Sequence, residues 1–267
     1  MKMYLSYFNL KFKLGLQYRI AAISGIMTQF FFGFVYISVY IAFYNSGSGN
    51  VPMDLDKLVS FIWLQQAFFT IIYLWYKDKE ILNNIKKGNI AYELLRPQKL
   101  YFMWLSKISG ERLSKAFLRF LPVLIVASLL PGMYRLNLSI SLLRFLLFIP
   151  AFILGTILML TLVTLFHVIC LYTIDEKGIV NMFMITADIL SGLVIPVPFF
   201  PTFLQKISNI LPFRYIGDFP LRLYVGSIPL NECFISYIVQ IIWILILGFL
   251  GYFLTKNALK KISIQGG

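Results

Sequence analysis

Long apolar runs alternate with short charged segments along this chain, and six of the runs are candidate membrane-spanning helices. A helix needs about 20 mainly apolar residues to cross the hydrocarbon core of a bilayer. The pattern predicts crossings at residues 20–44, 58–76, 113–134, 145–172, 178–195 and 233–255. The third crossing begins in an amphipathic stretch with basic residues, and the fifth contains one acid, Asp188. The pattern therefore predicts an all-α polytopic membrane protein with six transmembrane helices, in a single domain that covers residues 1–267.

Residues 2–19, before the first predicted crossing, show a helical pattern of apolar positions. Leu5, Phe8, Phe12 and Leu16 recur at steps of three and four residues, and polar residues lie beside them. This spacing is typical of an amphipathic helix that lies at a membrane surface. We therefore predict an interfacial helix here; the alternative, an unstructured basic tail, would not require such periodicity.

Residues 196–232, between the fifth and sixth crossings, fit neither a crossing nor a hydrophilic loop. Two short apolar stretches with helical spacing are interrupted by prolines, which lack an amide donor and disfavour a helical residue before them. The prolines are Pro196, Pro198, Pro201, Pro212 and Pro220. We expect the first three to end the fifth helix, and the region to form a re-entrant helical hairpin in the outer leaflet. The alternative is an amphipathic loop that lies on the outer surface.

Composition and charge support membrane residence and set the orientation. The chain is 59% hydrophobic and 13% charged, whereas soluble domains have about 25% charged residues. The net charge of +13 does not indicate nucleic acid binding, because the basic residues gather at the ends of apolar runs. With both termini in the cytosol, inside segments hold 18 of the 24 Lys and Arg residues and outside segments hold 6. The positive-inside rule therefore predicts that both termini lie in the cytosol and that the protein lies in the cytoplasmic membrane. Membrane lipid is then one of its partners.

Residues 77–112 form the most basic part of the chain and are predicted to lie in the cytosol. Gly88 interrupts this segment, and the dipeptide Arg96-Pro97 is a helix stop because proline disfavours a helical residue before it. A cytosolic element of this size between two crossings indicates a place where another protein acts on the membrane domain.

The sequence contains no motif for catalysis or for nucleotide binding. The phosphate-binding pattern G-x-x-x-x-G-K-[ST] does not occur, and neither does H-E-x-x-H or G-x-S-x-G. The one histidine, His167, lies near the inner end of the fourth crossing, where we expect a hydrogen-bonded packing residue. We therefore expect no catalytic residue, no metal and no cofactor on this chain, which also argues against a membrane enzyme.

Asp188 is the acidic residue within the predicted crossings, where a carboxylate costs about 2.5–3.5 kcal/mol on insertion scales. Such residues usually face a bundle interior or a wet cavity. We expect Asp188 to line a cavity or a seam between subunits. Two alternatives stay open: a buried, protonated acid, and a proton carrier in an ion-coupled secondary transporter. Secondary transporters usually show internal repeats, and residues 1–130 and 131–267 show no convincing likeness.

The order of these features resembles the ABC-2 type permeases, the membrane subunits of ATP-binding-cassette exporters. One branch of that family has a glycine followed by an LLRP turn in the loop between spans two and three, as in Gly88 to Pro97 here. It also has a P…LPF…P…G pattern after span five, matched by Pro201, Leu211-Pro212-Phe213, Pro220 and Gly226. The resemblance covers essentially the whole chain and implies a transport subunit without ATPase activity of its own.

The resemblance also implies partners and a docking element. Two permeases, identical or paralogous, would pair with two ABC ATPase subunits that bind ATP and Mg. A coupling helix at about residues 78–95 would enter a cleft of the ATPase. The residues expected to contribute are Ile81, Leu82, Ile85, Lys86, Lys87, Gly88, Glu93, Arg96 and Pro97. In this interpretation the apolar residues make the buried contacts, Gly88 permits a bend, and Pro97 ends the segment; the alternative is a loop whose lysines meet anionic lipid.

The same resemblance implies export of an amphipathic or hydrophobic cargo, such as an antimicrobial peptide, a drug or a lipid-linked molecule. Aromatic residues make up 17% of the chain and are abundant in the first crossing. They suit such a cargo, although they also suit packing against lipid. The sequence does not choose among the three cargo classes.

Overall fold

A computed structural model describes residues 2–47, 51–94, 98–137, 141–173 and 178–261. Of these residues 81% are helical and none forms a strand, which confirms the expected all-α fold for this part of the chain. The α-helices are α1 (Lys2–Leu16), α2 (Arg19–Asn45), α3 (Leu55–Ala67), α4 (Phe69–Ile72), α5 (Lys79–Lys86), α6 (Ile90–Leu94), α7 (Leu100–Leu129), α8 (Leu142–Thr173), α9 (Ile179–Leu190), α10 (Thr202–Ile210), α11 (Asp218–Tyr224) and α12 (Glu232–Lys261).

Three of the helices in the described ranges are long and apolar enough to cross a membrane. They cover Arg19–Asn45, Leu142–Thr173 and Glu232–Lys260, and so coincide with the first, fourth and sixth predicted crossings. Their sequences contain long uncharged stretches, as a helix in hydrocarbon requires. A chain with several such helices is a multi-pass membrane protein.

For the segments predicted as the second, third and fifth crossings, the helices in the structure begin or end at residues different from those predicted. The second is divided into α3 and the short α4, and it is not helical between Tyr73 and Asp78. The third lies within α7, which begins at Leu100 instead of residue 113 and ends at Leu129 instead of residue 134. The fifth corresponds to α9, a helix of 12 residues that ends at Leu190. Membrane crossing by these three segments stays a prediction.

Contacts between α2 and α7 show that these two helices run in the same direction. Near the start of α2, the Ala21 carbonyl accepts a hydrogen bond from Arg119 Nη2 at 3.0 Å. Further along α2, the ring of Phe34 lies 5.7 Å from the ring of Tyr134, which follows α7. Later residues of one helix therefore meet later residues of the other, as predicted for a first and a third crossing.

Helices α8 and α12 also run in the same direction, as predicted for a fourth and a sixth crossing. Tyr237 Oη donates to the Leu147 carbonyl at 2.6 Å, near the start of both helices. Tyr172 Oη donates to the Leu254 carbonyl at 2.7 Å, near the end of both. The two helices pack along most of their length.

Helix α1 forms in the predicted place and packs along α7. The backbones come close at two glycines: a Cβ on Gly110 would lie 2.7 Å from the Phe8 carbonyl oxygen, and one on Gly15 would lie 1.9 Å from Ser114 Oγ. The opposite face of α1 exposes apolar side chains such as Leu5, which is 61% exposed. This exposed apolar face is compatible with the predicted position at a membrane surface, which stays a prediction.

The end of α9 differs from the expectation that prolines terminate it. The helix ends at Leu190, and Gly192 follows with φ +74°, a conformation that glycine adopts without a steric penalty. Pro196 and Pro198 come later, around the 3₁₀ turn Val197–Phe199. The prediction that prolines end this helix was therefore wrong. The helix ends before the prolines, at a turn in which Gly192 has the left-handed backbone conformation.

The other prolines of residues 196–232 lie at starts of short helices. Pro201 directly precedes α10, and Pro212 directly precedes the 3₁₀ turn Phe213–Tyr215. Pro220 is the third residue of α11. In the first turn of a helix the backbone N–H groups have no acceptor within the helix, so a proline there removes no helical hydrogen bond. The region packs closely on α8, since a Cβ on Gly155 would lie 2.6 Å from the Ile216 carbonyl oxygen. Its depth in the membrane stays a prediction.

Candidate functional site

The segment Tyr73–Asp78, here called the linker segment, joins the end of α4 to the start of α5. It is extended at both ends, with φ −74° and ψ 133° at Tyr73 and φ −77° and ψ 107° at Asp78. Extended backbone inside a helix bundle loses the hydrogen bonds that a helix would supply. Its N–H and C=O groups must therefore find other partners.

Side chains from α7 and α9 supply two of these partners. Arg112 of α7 donates from Nη2 to the Tyr73 carbonyl. Asp188 of α9 accepts at Oδ1 from the Leu74 N–H at 3.1 Å. Both side chains are buried, with 3% of Arg112 and 7% of Asp188 exposed. Asp188 thus acts inside this chain as an acceptor for the linker segment, and its predicted position at a transport path or a subunit seam stays a prediction.

His167 of α8 supplies the third partner, at the other end of the linker segment. Its Nε2 accepts from the Asp78 N–H at 2.9 Å. Its Nδ1 lies 2.8 Å from the Val163 carbonyl, to which it donates. One ring nitrogen therefore accepts and the other donates, as in a neutral imidazole. The expectation of a hydrogen-bonded packing histidine is confirmed.

Asp78 begins α5 and fixes it to α7. Its Oδ1 accepts from the Ile81 N–H at 3.0 Å, an N-cap hydrogen bond. The same oxygen accepts from Lys107 Nζ at 2.8 Å. Both charged side chains are almost completely buried, so Asp78 depends on Lys107 for its compensating charge.

Glu80 extends this ion pair to α1. Its Oε2 lies 2.7 Å from Lys107 Nζ and 3.1 Å from Lys11 Nζ. The hydrogen bond from Lys107, assisted by the one from Lys11, holds the pKa of the Glu80 carboxyl below its usual range. Lys11, Glu80, Lys107 and Asp78 thus form a continuous row, here called the charge chain, which connects α1, α5 and α7.

The apolar face of α5 packs inside the chain itself. Ile81 is 1% exposed, Leu82 is 7% exposed and Ile85 is 8% exposed. Leu82 lies beside Phe166 and His167 of α8. The expectation that these three residues enter the cleft of an ATPase is therefore wrong. The amphipathic pattern correctly indicated a buried face, but that pattern does not distinguish a partner from the remainder of the same chain.

The outward face of the α5–α6 hairpin is polar and ends in an aromatic residue. Lys86 and Lys87 at the end of α5 are exposed. Gly88 follows with φ +70°, and a Cβ there would meet nothing within 4 Å. Tyr92 in α6 is 71% exposed. This face is the part of residues 78–94 that a partner can reach; Arg96 and Pro97 lie outside the described residues.

Glu93 faces inward instead of toward a partner. Its Oε1 accepts from Asn84 Nδ2 at 2.8 Å, which connects α6 to α5. Its Oε2 accepts from Trp104 Nε1 at 3.0 Å, which connects α6 to α7. Glu93 therefore stabilises the hairpin, in place of the contact with an ATPase that the family resemblance implied.

The residues that the sequence analysis did not single out are Asp78, Lys107 and Arg112. All three lie in the basic segment 77–112, which the sequence predicts to be a cytosolic loop. A signal was present, because Lys107 and Arg112 share an amphipathic helix with apolar neighbours, and such cations need buried partners. In the described part of the chain, no group of three or more His, Cys, Asp or Glu residues could hold a metal ion.

Comparison with known proteins identifies the family. Residues 57–266 match the family described as ABC-2 family transporter protein. This range includes the linker segment, the α5–α6 hairpin and every helix from α7 to α12. No curated protein and no solved structure matches the chain significantly. Because the match covers well over half of its length, the chain belongs to the ABC-2 family of transporter proteins, the membrane subunits that work with ABC ATPases.

Proposed function

We propose that this chain is the permease subunit of an ATP-driven exporter in the cytoplasmic membrane, with both termini in the cytosol. It moves an amphipathic or hydrophobic cargo out of the cell. A separate ABC ATPase binds ATP and Mg and hydrolyses the nucleotide. Two permeases, identical or paralogous, form the membrane part of the complex. The family membership supports the general assignment, and the linker segment with its charge chain supports the coupling mechanism.

The single observation that carries this proposal is the attachment of α5 to three other helices. Asp78 and Glu80 bind Lys107 of α7, Glu80 binds Lys11 of α1, and His167 of α8 holds the backbone of Asp78. A displacement of α5 by an ATPase must therefore move these helices or break buried polar contacts. Because unpaired buried charges are costly, moving the helices requires less free energy.

The ATPase contacts the exposed face of the α5–α6 hairpin in this proposal. Tyrosine is enriched in protein interfaces and at their energetic hot spots, which makes Tyr92 the expected anchor. Lys86 and Lys87 add charge complementarity, which mainly increases the association rate and depends on salt. The buried residues Ile81, Leu82 and Ile85 hold the hairpin in position from inside.

Purification of the complex tests the function. The tagged chain, extracted in mild detergent, should carry a subunit with a phosphate-binding loop and show ATP turnover. Tyr92→Ala should reduce the amount of this subunit, whereas Tyr18→Ala should not, although Tyr18 is also exposed, at 69%. If no ATPase copurifies with the chain, the proposed function is contradicted. If the two variants retain equal amounts of the ATPase, the assigned contact at Tyr92 is contradicted.

Thiol labelling tests the orientation on a background that lacks both native cysteines. A cysteine at Lys87 should react with an impermeant reagent only after the membrane is opened. A cysteine at Ser227, on the proposed outer side, should react in intact cells. Labelling of the Lys87 position in sealed cells would place the α5–α6 hairpin outside and exclude the coupling role.

An ion-coupled secondary transporter is the second candidate, because ionisable groups surround the linker segment. Arg112, Asp188 and His167 all bind its backbone. Transport into inside-out vesicles separates the two candidates. The exporter requires ATP and tolerates a protonophore, whereas the secondary transporter is insensitive to ATP depletion and stops when the proton gradient is dissipated.

A further inference from the structure

A cavity of about 310 Å³ opens between α2, the α3–α4 segment and α7. It is separate from the linker segment contacts of Asp188 and His167, although Tyr73 forms part of its wall. Its lining combines aromatic side chains, including Phe32 and Phe69, with polar ones. A cavity of this kind can hold a molecule that is itself partly apolar and partly polar.

The polar part of the wall contains a buried amide without a hydrogen-bond partner. Gln29 of α2 is 3% exposed, and neither its Nε2 nor its Oε1 has a partner. An unsatisfied buried amide destabilises a protein, so that native structures usually avoid it. Gln66 of α3, only 2% exposed, also lines the cavity. The two amides present donors and acceptors to a ligand in the cavity.

Arg119 of α7 gives the cavity its charge. Its Nη2 donates to the Ala21 carbonyl at 3.0 Å, and its Nε has no partner. None of the described residues that line the cavity is a carboxylate. The guanidinium also fills the space beside Gly25, where a Cβ would lie 2.2 Å from its Cζ. The cavity therefore favours an anionic group, which arginine can bind through two parallel hydrogen bonds.

The position along α2 sets the order of the polar and apolar parts. Helix α2 begins at Arg19, and a helix rises about 1.5 Å per residue. Gly25, beside Arg119, therefore lies about 9 Å from the start of α2, and Phe32 lies about 20 Å from it. In the proposed orientation the cation lies toward the inner leaflet and the aromatic wall lies toward the membrane centre.

We propose that this cavity binds an amphipathic anion, a molecule with a phosphate or carboxylate group and an apolar chain. The anionic group binds Arg119 and the Gln29 amide, and the chain lies along Phe32 and Phe69. This inference rests on the proposed function, because it specifies the chemical class of an exported cargo. An anionic lipid of the inner leaflet has the same chemistry, so the experiment must distinguish the two sources.

The test uses dodecyl phosphate that carries a photoreactive diazirine in its chain. The full chain is purified in neutral maltoside micelles, labelled, and mapped by mass spectrometry. We expect crosslinks near Phe32 and Phe69. Arg119→Gln should lower labelling about tenfold, because it removes a charge-assisted contact. Arg119→Lys should retain most of it, and Gln29→Leu should lower it about threefold.

Two controls make the result specific. Lys115→Gln removes a cation one helical turn away, whose Nζ lies over the Tyr76 ring at 5.5 Å instead of lining the cavity; it should leave labelling unchanged. A trimethylammonium probe of the same chain length should label weakly. Stronger labelling by the cationic probe, or equal labelling of wild type and Arg119→Gln, would overturn the proposal. If Arg119→Gln does not fold, equal labelling of wild type and Gln29→Leu has the same consequence.

Native mass spectrometry of the chain from cells then identifies the source. An anionic lipid that is bound to wild type and absent from Arg119→Gln assigns the cavity to a resident lipid. An unoccupied wild-type chain that takes up the probe assigns it to cargo, and both outcomes support an amphipathic anion. The binding experiment needs no ATPase, so its failure leaves the exporter assignment standing. Loss of ATPase association would leave the binding result intact.

Discussion

Two regions interrupt the long helices, the linker segment and residues 191–232, here called the outer region, and the side chains that bind their backbones differ. The linker segment, which is on the inner side in the proposed orientation, is held by Arg112, Asp188 and His167, which are ionisable and come from three helices. The outer region is held mainly by neutral side chains and by one cation, Arg144 of α8, which donates to the Ile228 carbonyl at 3.0 Å. Gln65 donates to the Leu193 carbonyl, and Gln240 donates to the Tyr215 carbonyl at 2.8 Å.

The outer region does contain one buried ionic contact, and it is local. Asp218 accepts from the Val197 N–H at 3.2 Å and lies 3.4 Å from Arg222, four residues later in the same short segment. The charge chain on the inner side, in contrast, joins α1, α5 and α7. A contact within one segment stabilises that segment, whereas a contact among three helices makes them move together. We infer that the outer region is an anchor and that the inner junction transmits motion.

The largest effect is expected when the inner charge chain is broken. Asp78→Ala removes the N-cap of α5 and leaves Lys107 with only the partly exposed Glu80 as a counter-ion. We expect a loss of about 4–5 kcal/mol in the free energy of unfolding, because breaking a buried ion pair leaves an uncompensated charge and α5 also loses its N-cap. Titration with SDS in mixed micelles measures this change.

The matched control for Asp78 is an ion pair on the surface. Asp54 lies 2.7 Å from Lys57, and both side chains are largely exposed. Asp54→Ala should cost less than about 1 kcal/mol, since exposed pairs contribute little. Equal losses for the two variants would show that the inner charge chain has no special energetic role, and the comparison between inner and outer regions would fail.

A smaller effect is expected at the outer turn. Gly192→Ala forces an L-residue into φ +74° and places its Cβ 2.7 Å from Val197 Cγ2 and 2.9 Å from Asp218 Oδ1. The conformational penalty and the steric clash should together cost about 2–4 kcal/mol of unfolding free energy. ATP turnover per folded complex should stay near the wild-type value, because an anchor does not transmit motion.

Gly47→Ala isolates the conformational penalty from the steric clash. Gly47 has φ +67°, and a Cβ there would meet nothing within 4 Å. We expect a loss of about 1–2 kcal/mol. If Gly192→Ala costs no more than Gly47→Ala, the close packing of the outer turn does not contribute to stability.

Two substitutions of Asp188 test whether this residue serves as a hydrogen-bond acceptor for the backbone or as a charge that acts in transport. Asp188→Leu leaves the Leu74 N–H without an acceptor and should cost about 1–3 kcal/mol. Asp188→Asn keeps an oxygen acceptor of the same shape and should cost less than about 1 kcal/mol. Both variants are compared for unfolding free energy and for cargo transport with the partner ATPase present.

The pattern of transport across these two variants decides the role of Asp188. If Asp188→Asn is as stable as wild type but transports less, the charge itself acts in transport, as expected for a residue at a path or a subunit seam. If transport follows stability in both variants, Asp188 is a structural partner of the linker segment. Wild-type stability of Asp188→Leu would contradict its hydrogen bond to Leu74.

The sequence predicted the fold best where one physical requirement dominates. Long uncharged runs have few alternatives to membrane-spanning helices, and α2, α8 and α12 lie where their apolar residues indicated. The helical spacing of Ile81, Leu82 and Ile85 correctly predicted a buried face. It did not identify what covers that face, because a helix of the same chain and the cleft of a partner present the same apolar surface.

The interruption of the second crossing was not predictable in the same way. Residues 73–78 contain no proline or glycine, and their apolar neighbours continue the pattern of a span. The segment is unwound in the folded chain, where Arg112, Asp188 and His167 satisfy its backbone. These three residues are far from it in sequence, so the reason for the break is tertiary and absent from local spacing.

The smallest predicted effect concerns the pH dependence at Glu80, where the charge chain reaches α1. Its pKa is lowered in the folded chain by hydrogen bonds from Lys107 and Lys11. A lowered folded pKa means that the stabilisation is present above the unfolded value, about 4.3, and is lost as pH falls through the folded value. Above pH 5, the contact between α1 and α5 should therefore be independent of pH.

Below that range, protonation of Glu80 should loosen α5 from α1 without unfolding the bundle. A crosslink between cysteines introduced at Tyr7 and Asn83 reports the contact, on a background without native cysteines. Its yield should fall as pH is lowered from 5 to about 3. Glu80→Gln should give a lower yield that changes less with pH. If the two proteins show the same pH profile, another acid controls the contact between α1 and α5, and the charge chain ends at Lys107. The charge chain would then be a local ionic contact like Asp218–Arg222 in the outer region. The proposed difference between the two regions would be lost.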